Sequence, residues 1–118
     1  MPEKILLVDD NPTLVELLKT VLTMEGYQVA APMDGVDHIL EHVRDEKPDV
    51  LLMDYFLGDC EGLDTIRRIR SKPETRDLRI IIISGSEKTR ECLQEGADAF
   101  LIKPFMPEEL LAVLRSKK

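Results

Sequence analysis

The chain has 118 residues, 43% hydrophobic and 33% charged, which fits one domain, residues 1–118, around a single core and leaves too little for two. Its formal charge of −7 works against direct nucleic-acid binding, because phosphates are repelled rather than neutralised. The longest apolar runs, such as Ile80–Ile83, fall far short of a membrane span, and no stretch is repetitive or low in complexity.

The N-terminus reaches Asp9 and Asp10 after a few apolar residues, so it lacks the apolar core and cleavage site of a secretory signal, and a cytoplasmic location is expected. Cys60 and Cys92 have neither a C-x-x-C partner nor metal spacing, and a reduced compartment argues against a disulfide between them.

Along the chain the apolar period switches repeatedly between strand-like and helix-like. Ile5–Val8 reads as a strand. Asn11-Pro12 then reads as an N-cap with proline at the first helical position, opening a helix over Pro12–Met24 with Leu14, Leu17, Leu18, Val21 and Leu22 on one stripe and Gly26 beyond its end. Gln28–Ala31 is the second strand. Val36–Glu46 is the second helix, with Pro48 after it. Val50–Met53 and Leu63–Arg70 form the third pair, and Ile80–Ile83 and Glu87–Glu95 the fourth, the latter followed by Gly96. Ala99–Ile102 is the last strand, and Pro107 opens a helix over Glu108–Arg115. Strands separated by helices need right-handed crossovers, which gives a parallel α/β sheet covered on both faces.

Ligands of such sheets bind beyond the carboxyl ends of the strands. Those ends carry Asp9 and Asp10, then Asp54, Ser84 and Lys103. Clustered carboxylates repel one another, and a hard divalent cation relieves that repulsion; Mg²⁺ takes a few carboxylate oxygens, waters and a phosphate oxygen. With a cation and the Lys103 ammonium flanking an anionic ligand, Asp54 can attack a phosphoryl group and carry it as an aspartyl phosphate, with Ser84 donating a hydrogen bond to the product oxygens. The competing reading is that strand-terminal aspartates only cap the following helices. Four strand ends bearing complementary groups weigh against it.

Ile5-Leu-Leu-Val-Asp-Asp10, Leu51-Leu-Met-Asp54, Ile82-Ile-Ser84-Gly, Gly96-Ala-Asp-Ala-Phe100 and Lys103-Pro104-Phe105 together resemble the receiver domain of two-component response regulators, over nearly the whole chain. The resemblance implies a flavodoxin-like, doubly wound (βα)5 fold with strand order 2-1-3-4-5. It implies that Asp54 accepts a phosphoryl group from a sensor histidine kinase or phosphotransfer protein. Asp10, Asp54 and the Phe56 carbonyl are implied as Mg²⁺ ligands, with Asp9 acting through water. Ser84 and Phe100 become the switch pair, the Lys103–Pro104 peptide is expected to be cis, and the face of helix four, strand five and helix five meets an output protein or domain. The implied product is a signalling switch that catalyses its own phosphorylation and dephosphorylation rather than an enzyme with turnover, and a monomer or weak dimer. The alternative from a different class is a pseudo-receiver that binds partners without phosphorylation. The last helix ends close to Lys118, so no output domain is read within these residues.

Three features depart from the family pattern. Gly58 stands where the family has a proline, followed by Asp59, Cys60 and Glu61, which makes that loop more acidic. The interval from Ser84 to Gly96 is about three residues short, enough to remove most of a turn from helix four or to tighten the loop before it. Phe56, two residues past Asp54, could shield the anhydride from water, giving slow self-dephosphorylation that a Phe56→Asn variant would accelerate.

Other motifs have plainer readings. His38-Ile-Leu-Glu-His42 matches a zinc-protease pattern, but Val36, Ile39, Leu40 and Val43 supply an ordinary buried stripe on the same helix. Arg67, Arg68 and Arg70 read as a solvated helix face rather than a docking surface, and the scattered methionines as packing.

Overall fold

The computed structural model describes residues 3–33, 38–57, 60–87 and 89–116, with the backbone alone at 56, 57, 60 and 61. Five strands and five helices alternate among them: β1 (Lys4–Val8), α1 (Pro12–Met24), β2 (Gln28–Ala30), α2 (Ile39–Glu46), β3 (Val50–Asp54), α3 (Gly62–Arg70), β4 (Arg79–Ser84), α4 (Thr89–Glu95), β5 (Ala99–Ile102) and α5 (Pro107–Arg115). A two-residue antiparallel ribbon, Phe56–Leu57 with Cys60–Glu61, lies between β3 and α3. The main sheet is parallel, in the spatial order β2-β1-β3-β4-β5. That is the expected order 2-1-3-4-5, with the switch in winding direction at β1 and β3.

Alternation along the strands divides the core in two. Leu6, Val8, Leu51, Met53, Ile80 and Ile82 face one side, against Ile39 and Val43 of α2, Ile66 and Ile69 of α3 and Cys92 of α4. Ile5, Leu7, Val50, Leu52, Ile81 and Ile83 face the other, against Leu18 and Leu22 of α1 and Leu110 and Leu114 of α5. The fully covered aliphatic side chains among these each contribute about 1.5–3 kcal/mol of transfer free energy, which holds the central strands in place.

Local chemistry sets the element ends. Asn11 Oδ1 accepts from the amides of Thr13 and Leu14, so the predicted cap of α1 forms at the predicted residue. At α2 the expected start, Val36, lies outside the described residues; the helix runs from Ile39 with His38 at the N-cap. At α4 the expected start, Glu87, stands ahead of the helix, where its carboxylate accepts from the Thr89 amide; hydrogen bonding to the side chain and then the backbone of Thr89 holds its pKa below the usual carboxylate value. The helix is seven residues long, in keeping with the short interval between Ser84 and Gly96. β2 stops one residue before the expected Ala31, because its last paired position is Leu6 with Ala30.

Arg70 ties the lower edge together. Its Nε and Nη2 donate to the Gly96 carbonyl at 3.0 and 2.8 Å, Nη2 also to Asp98 Oδ2 at 3.0 Å, and Nη1 to the carbonyls of Arg76 and Leu78 at 2.8 and 2.5 Å. All five guanidinium N–H groups are thus engaged. Gly96 has φ +118°, and a Cβ there would lie 3.1 Å from Arg70 Cγ, so this glycine serves both the helix end and the arginine. No described helix is long and apolar enough to cross a membrane.

Candidate functional site

The acidic rim assembles because β1, β3 and β5 end side by side. Asp9 and Asp10 follow the last residue of β1, Asp54 closes β3, and Lys103 follows β5. One carboxylate oxygen from each of Asp9, Asp10 and Asp54 lies within 4.8 Å of the others. Lys103 Nζ bridges two of them, at 3.2 Å from Asp9 Oδ2 and 3.3 Å from Asp54 Oδ2. The Asp9 side chain is 0% exposed and that of Asp54 11%, against 27% for Lys103. The ammonium is therefore the compensating charge for a largely buried anionic pair. Burial works to lower its pKa, but the hydrogen bond and charge of Asp9, and then those of Asp54, outweigh it and hold Lys103 above the ordinary lysine value.

The backbone around these side chains is tightly tied. The Asn11 amide donates to Asp9 Oδ1 at 2.8 Å, so Asp9 is held between the start of α1 and Lys103. The Lys103 amide donates to the Ser84 carbonyl at 2.7 Å, and the Tyr55 amide to the Ile83 carbonyl at 2.8 Å. Ser84 is fully buried, and its hydroxyl accepts from the Ser86 amide at 3.1 Å, turned toward its own loop. Phe100, register partner of Ile82, is half-buried against the α2–α4 side of the core. The Lys103–Pro104 peptide is cis.

Asp10 is the exposed member of the acidic group. Three carboxylates of graded exposure, converging from two strand ends, form an all-oxygen donor set that fits a hard cation and lacks the nitrogen and sulfur donors of a structural zinc site. Phe56 contributes backbone at the first position of the ribbon, paired with Glu61. Its ring, and Gly58 and Asp59, lie outside the described residues, so the shielding role and the acidic loop are not part of the geometry described.

Other sequence motifs resolve into structure. His38 Nδ1 lies 3.1 Å from Glu41 Oε1, and among the described residues Asp9, Asp10 and Asp54 are the one group arranged for a metal. Arg67 pairs with Glu95 at 3.0 Å and Arg68 with Asp64 at 2.9 Å, which, with Arg70 internal, neutralises the basic cluster. Sequence reasoning took Asn11 as a cap and missed its amide on Asp9, and it passed over Gly62, whose amide donates to the Tyr55 carbonyl at 2.6 Å one residue past Asp54. A glycine directly before the expected start of α3, Leu63, was the available signal.

A family model described as the response regulator receiver domain matches residues 5–115. Among curated proteins, the DNA-binding response regulator MtrA of Mycolicibacterium smegmatis is 36% identical over 120 residues, covering 99% of this chain and 51% of that protein. Response regulator MprA of Mycobacterium ulcerans is 37% identical over 119 residues, covering 98% of this chain and 50% of that protein. The chain thus spans about half the length of the curated relatives it matches. Among solved structures, a putative response regulator from Chloroflexus aurantiacus superposes with a TM-score of 0.88 at 30% identity, covering 97% of this chain and 95% of that one. The receiver domain of sensor histidine kinase PA1611 from Pseudomonas aeruginosa, with a magnesium ion coordinated in its active-site cleft, gives a TM-score of 0.81 at 33% identity, covering 97% and 95%.

Proposed function

The chain belongs to the response regulator receiver family, and from the geometry of its acidic rim we propose that Asp54 is its phosphoacceptor. The observation that carries this reading is the Lys103 ammonium held between Asp9 and Asp54, with Asp10 exposed beside them. The donor would be a phosphohistidine on a sensor histidine kinase or phosphotransfer protein. An Asp54 carboxylate oxygen attacks phosphorus, the new P–O bond forms as the P–N bond breaks, and the leaving imidazole nitrogen recovers its neutral form with a proton. Lys103, already poised on Asp54, supplies a fixed positive charge to the incoming phosphoryl oxygens. Ser84 gives up the Ser86 amide and donates its hydroxyl proton to those oxygens, and Phe100 moves inward into the space it leaves.

Mg²⁺ fits the donor set: Asp10, Asp54 and the Phe56 carbonyl would hold it, with Asp9 acting through water, and it would neutralise charge on the phosphoryl oxygens. In this reading residues 1–118 form one cytoplasmic receiver domain, monomeric or weakly dimeric. It passes its state to an output protein or domain through α4, β5 and α5, and loses phosphate by its own hydrolysis. Given the charge of −7, these residues make no direct contact with nucleic acid.

Intact-protein mass after incubation with acetyl phosphate and Mg²⁺ tests the proposal. A phosphoryl mass gain that disappears in Asp54→Asn and in EDTA is expected. A gain retained by Asp54→Asn would reassign the site, and no gain under any condition would favour the phosphorylation-independent interaction module.

A further inference from the structure

We propose that Gly62 is a positioning residue for the phosphoacceptor: its bare Cα lets the first residue of α3 clamp the Tyr55 carbonyl, and that clamp fixes where Asp54 sits. The inference rests on the receiver reading above.

Gly62 is buried at the start of α3, and its amide donates to the Tyr55 carbonyl at 2.6 Å. Its φ lies outside the left-handed region, so the glycine supplies room rather than backbone freedom. A Cβ there would sit 3.1 Å from the Tyr55 carbonyl oxygen, 3.2 Å from its Cα and 3.2 Å from its Cδ1, tighter than ordinary van der Waals contact, with two of the three neighbours being backbone.

Tyr55 has little freedom to retreat. It is 3% exposed, its ring belongs to the core on the α2–α4 side, and its amide is bonded to the Ile83 carbonyl at 2.8 Å. Beyond it, Phe56 pairs with Glu61, the residue before Gly62. Strain placed on a residue held in this way is carried along the backbone to its covalent neighbour Asp54, whose carboxylate must keep its contact with Lys103. Phosphoryl transfer depends on such alignment, so a shift of a few tenths of an ångström slows the reaction while removing no reacting group.

The test compares parent and Gly62→Ala in the rate of Asp54 phosphorylation by acetyl phosphate across a Mg²⁺ titration. The variant is expected to phosphorylate roughly 3–10-fold more slowly at saturating Mg²⁺ and to need more Mg²⁺ for half-maximal rate. A merely structural role would lower the folded fraction and leave the Mg²⁺ midpoint unchanged. A variant with the parent's rate and midpoint overturns the proposal. If the variant does not fold, ¹⁵N–¹H spectra of the parent decide. Gly62 and Tyr55 amide resonances that move on Mg²⁺ addition, with the same midpoint as Lys103, support the clamp; amides that stay still overturn it. A parent that takes no phosphoryl group removes the receiver reading and this inference together, whereas a phosphorylated parent with an indifferent variant removes the inference alone.

Discussion

Replacing Lys103 by methionine keeps the length of the side chain and removes the charge that separates two largely buried carboxylates. Two charge-assisted hydrogen bonds go with it, each worth about 1.5–3 kcal/mol when desolvated. Oxygens of Asp9, Asp10 and Asp54 remain within 4.8 Å of one another, and two unit charges at that separation repel by about 3.5 kcal/mol at an effective dielectric of 20, or about 0.9 kcal/mol in water. Against these losses, the ammonium no longer pays its own desolvation, and it is 27% exposed, which screens part of its attraction. The net expectation is about 2–3 kcal/mol lower stability at pH 7 in EDTA, or roughly 8–12 °C in Tm for a chain of this size. Urea unfolding of parent and variant, with and without Mg²⁺, measures it. A divalent cation binding the folded state should restore more stability to the variant than to the parent, because it takes over the compensation that Lys103 provides. A variant within about 0.5 kcal/mol of the parent in EDTA would show that the carboxylates are separated by something other than this lysine.

Asp10→Asn removes the exposed carboxylate of the group, so in EDTA it should raise stability by about 0.5–1 kcal/mol and lose most of the parent's Mg²⁺-dependent gain; calorimetric Mg²⁺ titration checks the second part. Since the folded pKa of Lys103 is raised, its contribution is fully present below the ordinary lysine pKa of about 10.4 and is lost as pH rises through the higher folded value. An alkaline urea series should therefore show a fall in parent stability above that pH that is absent in Lys103→Met. Arg70→Ala deletes five hydrogen bonds joining α3 to the Gly96 turn, Asp98 and the loop before β4, and should cost about 2–4 kcal/mol in urea unfolding at neutral pH. A loss under about 0.5 kcal/mol would mean that water replaces the guanidinium without penalty.

The parts of this molecule legible in its sequence are those governed by short-range rules. A run such as Ile80–Ile83 is covered on both faces, and the alternation of its residues between the two halves of the core follows from the strand period alone. Once strands and helices alternate, the right-handed crossover sends their carboxyl ends to one rim, which is why Asp9, Asp10, Asp54 and Lys103 could be grouped before any distance was known. The strand order is different in kind: it came from family resemblance, because neither period nor spacing says which strand lies beside which. Contacts joining elements far apart in sequence stayed hidden for the same reason. Nothing local distinguishes Arg70 from Arg67 and Arg68, yet it turns inward to Gly96 and Asp98 while they pair on the surface. Glu87 fell within the helical period but serves ahead of α4, because a carboxylate two residues before Thr89 can accept the orphan amide that the helix leaves open. Gly62 is the sharpest case. The sequence offers a glycine before an amphipathic helix, a pattern with many uses, and only the 2.6 Å approach to Tyr55 ties it to the end of β3. A site residue recognised by its own chemistry can be read from sequence; one recognised by the space it leaves empty needs the neighbour to be known.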